Sequence, residues 1–401
     1  MNCRSCASTK LTSILDLGEH PWCNNFLTKE ELGKEKQYPL HLVQCDDCDL
    51  LQLNHTVPKE VMFKNHTYVS STTKSLAKHF RELALENKIE LNLTKDDLIL
   101  DIGGNDGTQL LQYKDIGLEN VLNVESADNI AELSLKSGVP TINDFFNEDL
   151  IDKHNLEGKV KMINASGVFF HLEELHSVIR GIKKALTDDG VLVVQFMYAG
   201  TMVEKLNFDG IYHEHLCFYT LKSLENLLNP YGLKVFNAYG SDIHSGSIIA
   251  KISKSPKVKT TKTYNFWKTK DEEYNRQAFL SFAEKVKSKK NDLKNLLKTI
   301  KNQDPSIKIY AYGAPAKGNT LLNYFGIDNK VIDKCVEVNQ LKIGLYLPKS
   351  HIPIVEESTE DVPDYYLLLA HNFADEIIEK NQKLLDKGVK FIIPFPDIKI
   401  I

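Results

Sequence analysis

The sequence has little that would suit an oxidising compartment, a membrane or a polyanion. Seven cysteines in 401 residues are too few for a disulfide scaffold, and an odd number does not pair out. No apolar run approaches the ~20 residues that span a bilayer, and the N-terminus shows no charged-then-apolar leader pattern. Lys and Arg number 49 against 54 Asp and Glu, leaving no surplus positive charge to neutralise a phosphate backbone or an anionic surface. The expectation is a soluble, cytoplasmic protein that binds neither nucleic acid nor membrane. Low-complexity tracts and extended tandem repeats are missing as well. A chain of this length with 42% apolar side chains exceeds a single core, because cores stop growing near ~250 to 300 residues. Two or three domains are expected.

Four cysteines stand as two pairs, Cys3 with Cys6 in "CRSC" and Cys45 with Cys48 in "CDDC". Two such turns make the pattern of a tetrathiolate zinc site, and the long gap between them requires structure of its own. Four unrelated buried thiols are the alternative. Cys23, Cys217 and Cys335 have no partner at ligand spacing and read as small core residues.

From residue 97 the pattern becomes short apolar runs alternating with helical segments, the mark of a parallel sheet with helices on its faces. "DLILDIGG" (97–104), "NVLNVE" (120–125), "VKMINAS" (160–166) and "VLVVQFM" (191–197) read as strands, and "LEELHSVIRGIKKAL" (172–186) as an amphipathic helix. "GLKVFNAYG" and "GSIIAKIS" are close enough to pair antiparallel. Residues 263–302 suggest a long solvated helix that separates domains. A second strand–glycine–helix unit follows at "IKIYAYGAPAKGNTLLNYFG" (307–326), with strands at "YYLLLA" (365–370) and "KFIIPF" (390–395). The predicted fold class is α/β: a doubly wound sheet between an N-terminal zinc-binding domain (1–68) and a smaller C-terminal Rossmann-like domain (257–401), the central domain being 69–256.

"DIGGNDG" (101–107) follows a strand and precedes a helix, where glycine permits tight turns and close approach of a ligand to the backbone. Glu125 lies 22 residues after Gly103, at the end of the next strand, where an acid can accept both ribose hydroxyls of an adenosine. The G-x-G-x-x-G of nicotinamide folds is absent, and Asp101 and Asp106 suit a cofactor bearing an amino group better than one bearing a pyrophosphate. The loop favours S-adenosylmethionine over a purely structural turn. "YGAPAKGN" (312–319) is an equally open choice between a structural loop and a phosphate cradle, with Lys317 or Asn319 at the phosphates.

"YHEH" sets Tyr212, His213, Glu214 and His215 in series. A histidine can be a neutral base at cellular pH, a carboxylate can fix its tautomer, and a tyrosine can donate to a developing oxyanion. An extended strand would split the four side chains between two faces, so a bend is required to gather the useful groups. Satisfied core histidines are the bland alternative, and a His213/His215 metal chelate lacks an obvious carboxylate pair.

Taken together, the Cys pairs, "IGGNDG", "YHEH" within "FDGIYHEHLCFYT", "GAPAKGNTLLN" and "HIPI" (351–354) resemble the sugar C-methyltransferases of deoxysugar biosynthesis, the family of the tetronitrose 3-C-methyltransferase. The likeness runs in order along almost the whole chain. It implies structural Zn2+, S-adenosylmethionine as methyl donor, and a nucleotide-linked 4-keto-6-deoxy sugar methylated at C3. It also implies His215 as base beside Tyr212 and Glu214, with His171 in "FFHLEE" and Tyr68 in "YVSSTT" at further active-site positions. The cofactor set expected is Asp101, Gly103, Asn105, Asp106, Gly107, Glu125 and Asp144. Gln195 and Met197 stand where the family often carries Glu and Pro, and "EVNQLKIG" departs from D-x-N-P-x-K-x-G, which leaves the identity of the sugar open. The competing functions are methylation of a sugar hydroxyl and a non-catalytic zinc-ribbon binding protein.

Overall fold

The computed structural model describes residues 1–63, 69–72, 74–243 and 246–401, so the candidate Tyr68 lies outside the described residues. Three sheets are present. The first contains β1 (Leu11–Pro21), β2 (Gln37–Cys45), β3 (Leu51–Leu53) and β9 (Cys217–Phe218), in the order β1-β2-β3-β9 and antiparallel throughout. Strands β1 and β2 are the structure that the gap between the cysteine pairs required. The fourth strand was not legible: β9 follows "YHEH" in the chain, and Phe218 pairs with Leu51. The "YHEH" segment is thereby tied to the N-terminal sheet.

The central sheet contains β4 (Leu98–Ile102), β5 (Val121–Val124), β6 (Thr141–Ile142), β7 (Val160–Ser166), β8 (Leu186–Met197), β10 (Lys234–Ser241) and β11 (Ser247–Ser253). Its order is β10-β11-β8-β7-β4-β5-β6, parallel from β8 to β6, with β11 and β10 added antiparallel. Alternate residues of the buried strands serve two apolar cores: Leu100, Ile163 and Leu192 face one, Ile99, Met162 and Val193 the other. This accounts for the near-continuous apolar runs in the sequence, since a sheet covered on both faces needs apolar side chains at every position. The expected amphipathic helix spans Leu175–Ala185 and buries Leu175, Val178, Ile179 and Ile182. The antiparallel pairing of the last two runs is present as expected, with Tyr239 opposite Ile249.

The third sheet holds β12 (Ile309–Tyr312), β13 (Lys334–Glu337), β14 (Ile354–Glu356), β15 (Tyr365–Leu368), β16 (Lys390–Ile393) and β17 (Lys399–Ile400), in the order β14-β13-β12-β15-β16-β17 and parallel except for the last pair. Helix Ala316–Phe325 follows β12 across the second glycine loop.

The connecting segment differs from the single solvated helix expected. It is two helices, Lys262–Asp271 and Arg276–Gln303, and Asn275 starts the second by accepting from the backbone N–H of Gln277 and Ala278. Phe279, Phe282, Val286, Leu293, Leu297 and Ile300 are buried in the same core as Leu15 and Leu17 of β1 and Leu321 of the third unit. The helix joins these layers rather than holding them apart.

Asp271, 6% exposed, ends the first of these helices and serves the central unit. Its carboxylate accepts from Tyr198 Oη at 2.6 Å and from the backbone N–H of Leu221 and Lys222 at 2.9 and 2.8 Å, which begin helix Leu221–Leu228. Asp271→Ala removes the acceptor from all three donors and is expected to cost about 2 to 4 kcal/mol in a urea unfolding curve. A variant within 0.5 kcal/mol of the parent, an order-of-magnitude allowance for uncoupled surface changes, would show that water replaces the carboxylate there.

Candidate active site and metal centre

The two cysteine turns meet at one end of the N-terminal sheet. Cys3 and Cys48 sulfurs are 3.5 Å apart, as are those of Cys6 and Cys45, and all four lie within 4.8 Å of one another. Sulfurs held about 2.3 Å from a tetrahedral metal are about 3.8 Å apart, so the donor set fits zinc. Four thiolate ligands also leave no position for a substrate, which makes the site structural. Among the described residues this is the only group of His, Cys, Asp or Glu spaced to hold a metal. His213 and His215 form no such group: His213 Nε2 meets the Tyr38 carbonyl at 3.3 Å, while His215 turns to its own loop.

The glycine loop sits at the C-terminal end of β4, where open parallel sheets bind ligands. Gly103, Asn105 and Gly107 all take positive φ, 63°, 53° and 82°. Gly104 has no such angle, yet a Cβ on it would lie 2.4 Å from Asn123 Oδ1 and 2.9 Å from the Asp101 carboxyl, so only glycine fits. Asn105 N–H donates to Glu125 Oε2 at 3.1 Å and Ala127 N–H to its Oε1 at 2.8 Å, which orients the acid across the loop. Asp106 accepts from Thr108 N–H and Oγ1, opening helix Thr108–Lys114, and its Oδ2 takes Ser71 N–H at 3.1 Å. Asn105 Oδ1 likewise takes Ser70 N–H, at 2.9 Å, so residues 70–71 rest on the loop. Asp101 is fully buried with Oδ2 lacking a partner, and burial, then the nearby Glu125 charge, pushes its carboxyl up to about 8. An orphaned buried acceptor beside a glycine turn fits a ligand that brings its own donors, as S-adenosylmethionine does. Asp144 is half-buried past β6, accepting from Phe145 N–H and 3.4 Å from Lys153 Nζ.

The segment 208–215 follows the Ala199–Glu204 helix. Phe208–Gly210 is a single 3-10 turn, and His215 N–H returns to the Tyr212 carbonyl at 2.8 Å, which is the bend that the side-chain pattern demanded. The Tyr212 and His215 ring centroids are 3.9 Å apart with their planes tilted at 36°, and the His171 ring centroid lies 5.1 Å from that of His215. His215 Nδ1 meets the Gly210 carbonyl at 2.7 Å, and His171 Nδ1 meets the Glu214 carbonyl at 2.7 Å. A carbonyl only accepts, so each Nδ1 carries the hydrogen and the neutral ring has its lone pair on Nε2. The tautomer of His215 is thus set by a backbone carbonyl, where the sequence suggested Glu214. His213 is buried on the other side of the turn, edge-on to Tyr38, and burial lowers it to about 4, so it stays neutral.

Lys317 and Asn319 each have a partner within the protein. Asn319 is buried with Nδ2 donating to the Cys23 carbonyl at 2.6 Å, and the partly exposed Lys317 has Nζ 4.0 Å from Asp209 Oδ2. Burial lowers the Lys317 pKa, which Asp209 partly offsets. Asp209 also meets His371 Nε2 at 2.7 Å; burial works to raise its carboxyl, but His371 and Lys317 outweigh this and hold it below the usual range. The helix that carries both residues packs into the joint between the third unit and segment 208–215. Sequence reading missed Asp209, His371, Trp22 and Asn24, whose partners are distant in the chain and whose local context carries no motif.

Three family models match consecutive stretches: a zinc binding domain at residues 3–63, a methyltransferase domain at 75–238 and a C-methyltransferase C-terminal domain at 242–396. C-methyltransferase NovU of Streptomyces niveus is 30% identical over 410 aligned positions, which take in 100% of this chain and 96% of that protein. The chain belongs to the C-methyltransferases. It is an S-adenosylmethionine-dependent transferase with a zinc-binding N-terminal region. Solved methyltransferases overlay only part of it. The geranyl diphosphate C-methyltransferase of Streptomyces coelicolor A3(2) is 10% identical with a TM-score of 0.34, covering 45% of this chain and 80% of that one. An S-adenosylmethionine dependent methyltransferase of Mesorhizobium loti is 12% identical with a TM-score of 0.33, covering 42% and 97%. No helix among the described residues is long and apolar enough to cross a membrane.

Two predictions follow the geometry of this C-methyltransferase. Replacing Cys45 and Cys48 together by Ser is expected to abolish bound zinc in metal analysis of the purified protein, and unchanged zinc content would reject the tetrathiolate site. Glu125→Ala removes an acid held by two backbone donors and is expected to weaken S-adenosylmethionine binding by roughly tenfold or more in calorimetry, the scale of a lost hydrogen bond to a charged group. Unchanged affinity would remove Glu125 from the cofactor site.

Proposed function

We propose that this C-methyltransferase acts on a nucleotide-linked 4-keto-6-deoxy sugar, adding the methyl group at C3 beside the ketone, with His215 as the base. The reading divides the chain into a zinc-binding domain (1–68), a cofactor domain (69–256) and a C-terminal domain (257–401) that together enclose the substrate. One observation carries it: the Gly210 carbonyl takes His215 Nδ1–H, which leaves Nε2 as the proton acceptor of a buried ring. Bound S-adenosylmethionine supplies an electrophilic methyl group. A carbon can meet it only as a carbanion equivalent, and a neighbouring ketone gives the C–H bond the needed acidity.

In this reading His215 Nε2 takes the proton, and the electron pair passes to the ketone oxygen as an enolate. Tyr212, whose ring lies beside that of His215, steadies that oxygen, and His171 is the next group to it, Tyr68 being a further candidate by resemblance. Glu214 supports the site through its carbonyl, which holds His171, and through its carboxylate. Asp101, Gly103, Asn105, Asp106, Gly107, Glu125 and Asp144 hold the methyl donor. The full-length relationship to a C-methyltransferase supports carbon as the acceptor, and a sugar hydroxyl is the competing one.

The test is incubation with S-adenosylmethionine and a panel of nucleotide-linked 4-ketosugars, read as a methyl mass increment. In deuterium oxide with S-adenosylhomocysteine replacing the donor, deuterium is expected to wash in next to the ketone. His215→Ala should suppress both wash-in and turnover by ~10² to 10⁴-fold while donor affinity stays unchanged, and Tyr212→Phe should lose less. Methylation without wash-in would favour a hydroxyl acceptor; normal wash-in in His215→Ala would remove it as the base.

A further inference from the structure

Glu214 is 4% exposed, and its carboxylate faces away from His215's own loop toward the N-terminal sheet. Trp22 Nε1 and Asn24 Nδ2 both donate to Glu214 Oε1, each at 2.6 Å. These donors come from nearly two hundred residues earlier, on the turn that leaves β1 at Pro21. We propose that Trp22 and Asn24 are positioning residues of the methyl-transfer centre, acting through Glu214, so that the zinc-bearing region is a structural part of the active site.

The argument is geometric. Two N–H donors meeting one oxygen require that oxygen to be an unprotonated acceptor, and together they fix both the rotation and the position of the carboxylate. Glu214 lies inside the turn closed by His215 N–H and the Tyr212 carbonyl, and its own carbonyl accepts His171 Nδ1–H. Pinning its side chain therefore fixes the peptide that bears His215 and the carbonyl that orients His171. A centre with its reacting groups held to a fraction of an ångström needs such support, because small misplacements are costly in rate.

The turn that carries the donors is itself held. Asn25 N–H returns to the Trp22 carbonyl and Phe26 N–H to the Asn24 carbonyl, while Leu27 exchanges both backbone hydrogen bonds with Tyr346 of the third unit. The Cys23 carbonyl, between the two donors, accepts Asn319 Nδ2 at 2.6 Å. Asn319 thereby holds the donor turn from the C-terminal side. Zinc at Cys3, Cys6, Cys45 and Cys48 anchors the far end of the same sheet.

The inference rests on the reading of His215 and Glu214 as the reacting centre, and the experiment separates the two. Full-length, zinc-loaded Trp22→Phe, Asn24→Ala and Asn24→Asp are assayed with S-adenosylmethionine and the 4-ketosugar nucleotide that gains a methyl group, with Asn25→Ala, an exposed neighbour, as control. Trp22→Phe and Asn24→Ala are expected to lower kcat roughly tenfold or more, with KM, zinc content and donor affinity close to the parent's. Asn24→Asp keeps the shape but turns an acceptor toward a carboxylate, so it should be slower than Asn24→Ala. In a Glu214→Ala background, Asn24→Ala should add no further loss.

The inference is overturned if Asn24→Asp is as fast as or faster than Asn24→Ala, if the losses multiply in the Glu214→Ala background, or if both single variants turn over like the parent. Parent-like turnover in His215→Ala would instead overturn the underlying reading of the centre. Trp22→Phe keeps an aromatic ring at the position while removing the N–H donor, so it keeps the test decisive should Asn24→Ala lose its zinc or its fold.

Discussion

Segment 208–215 carries Asp209, His213, Glu214 and His215 into the protein interior, and burial obliges each polar group to find a partner. His215 finds one partner inside the segment, the Gly210 carbonyl. The others reach to the N- and C-terminal parts of the chain: His371 and Lys317 for Asp209, Tyr38 for His213, and Trp22 and Asn24 for Glu214. The relative placement of the three sheets is therefore bound up with the satisfaction of one loop. Strand β9 continues the same segment into the N-terminal sheet, which adds a backbone ladder to the side-chain contacts.

The cofactor side is built on a different economy. There the central sheet is covered on both faces, and buried polar groups are found at the C-terminal ends of β4 and β5 as well as at Asn164, Gln195 and Lys251 on neighbouring strands. Asn123 illustrates the arrangement: its Oδ1 accepts Gly104 N–H and its Nδ2 donates to the Asn105 carbonyl, so one buried amide fixes the path of the glycine loop. Glu125 and Asp106 do the same with backbone donors. Much of the loop's shape is thus prepared before a ligand arrives, which reduces the ordering cost of binding. Asp101 Oδ2, at the end of β4, is among the buried polar atoms of this unit that no protein group meets.

A small four-stranded sheet buries too little to be rigid alone, and zinc and the long Arg276–Gln303 helix supply what it lacks. That helix places its apolar face against β1 and against helix Ala316–Phe325, joining the first and third units in one core. The donors to Glu214 sit at the end of β1 nearest this joint. The donor turn meets the Glu214 carboxylate from this side, and His371 and Lys317 meet Asp209 of the same loop from the C-terminal unit.

Features that depend on local pattern were legible in the sequence alone. Paired cysteines at ligand spacing, alternating strand and helix periods, the glycine loop with its acid one strand later, and the closely spaced His, Glu and Tyr of "YHEH" each express a constraint contained in a short stretch. The family resemblance drew on the same stretches. What only the tertiary structure decided is which long-range partner each polar side chain meets. Nothing near Glu214 names Trp22, nothing near Asp209 names His371, and nothing in "GAPAKGN" names the Asp209 and Cys23 groups that its lysine and asparagine approach. The tautomer of His215 was hidden for the same reason, since it depends on a backbone carbonyl whose direction is set by the turn. Pairing in a buried joint is selected by the fold as a whole, because the penalty for an unpaired group arises only once burial has removed water.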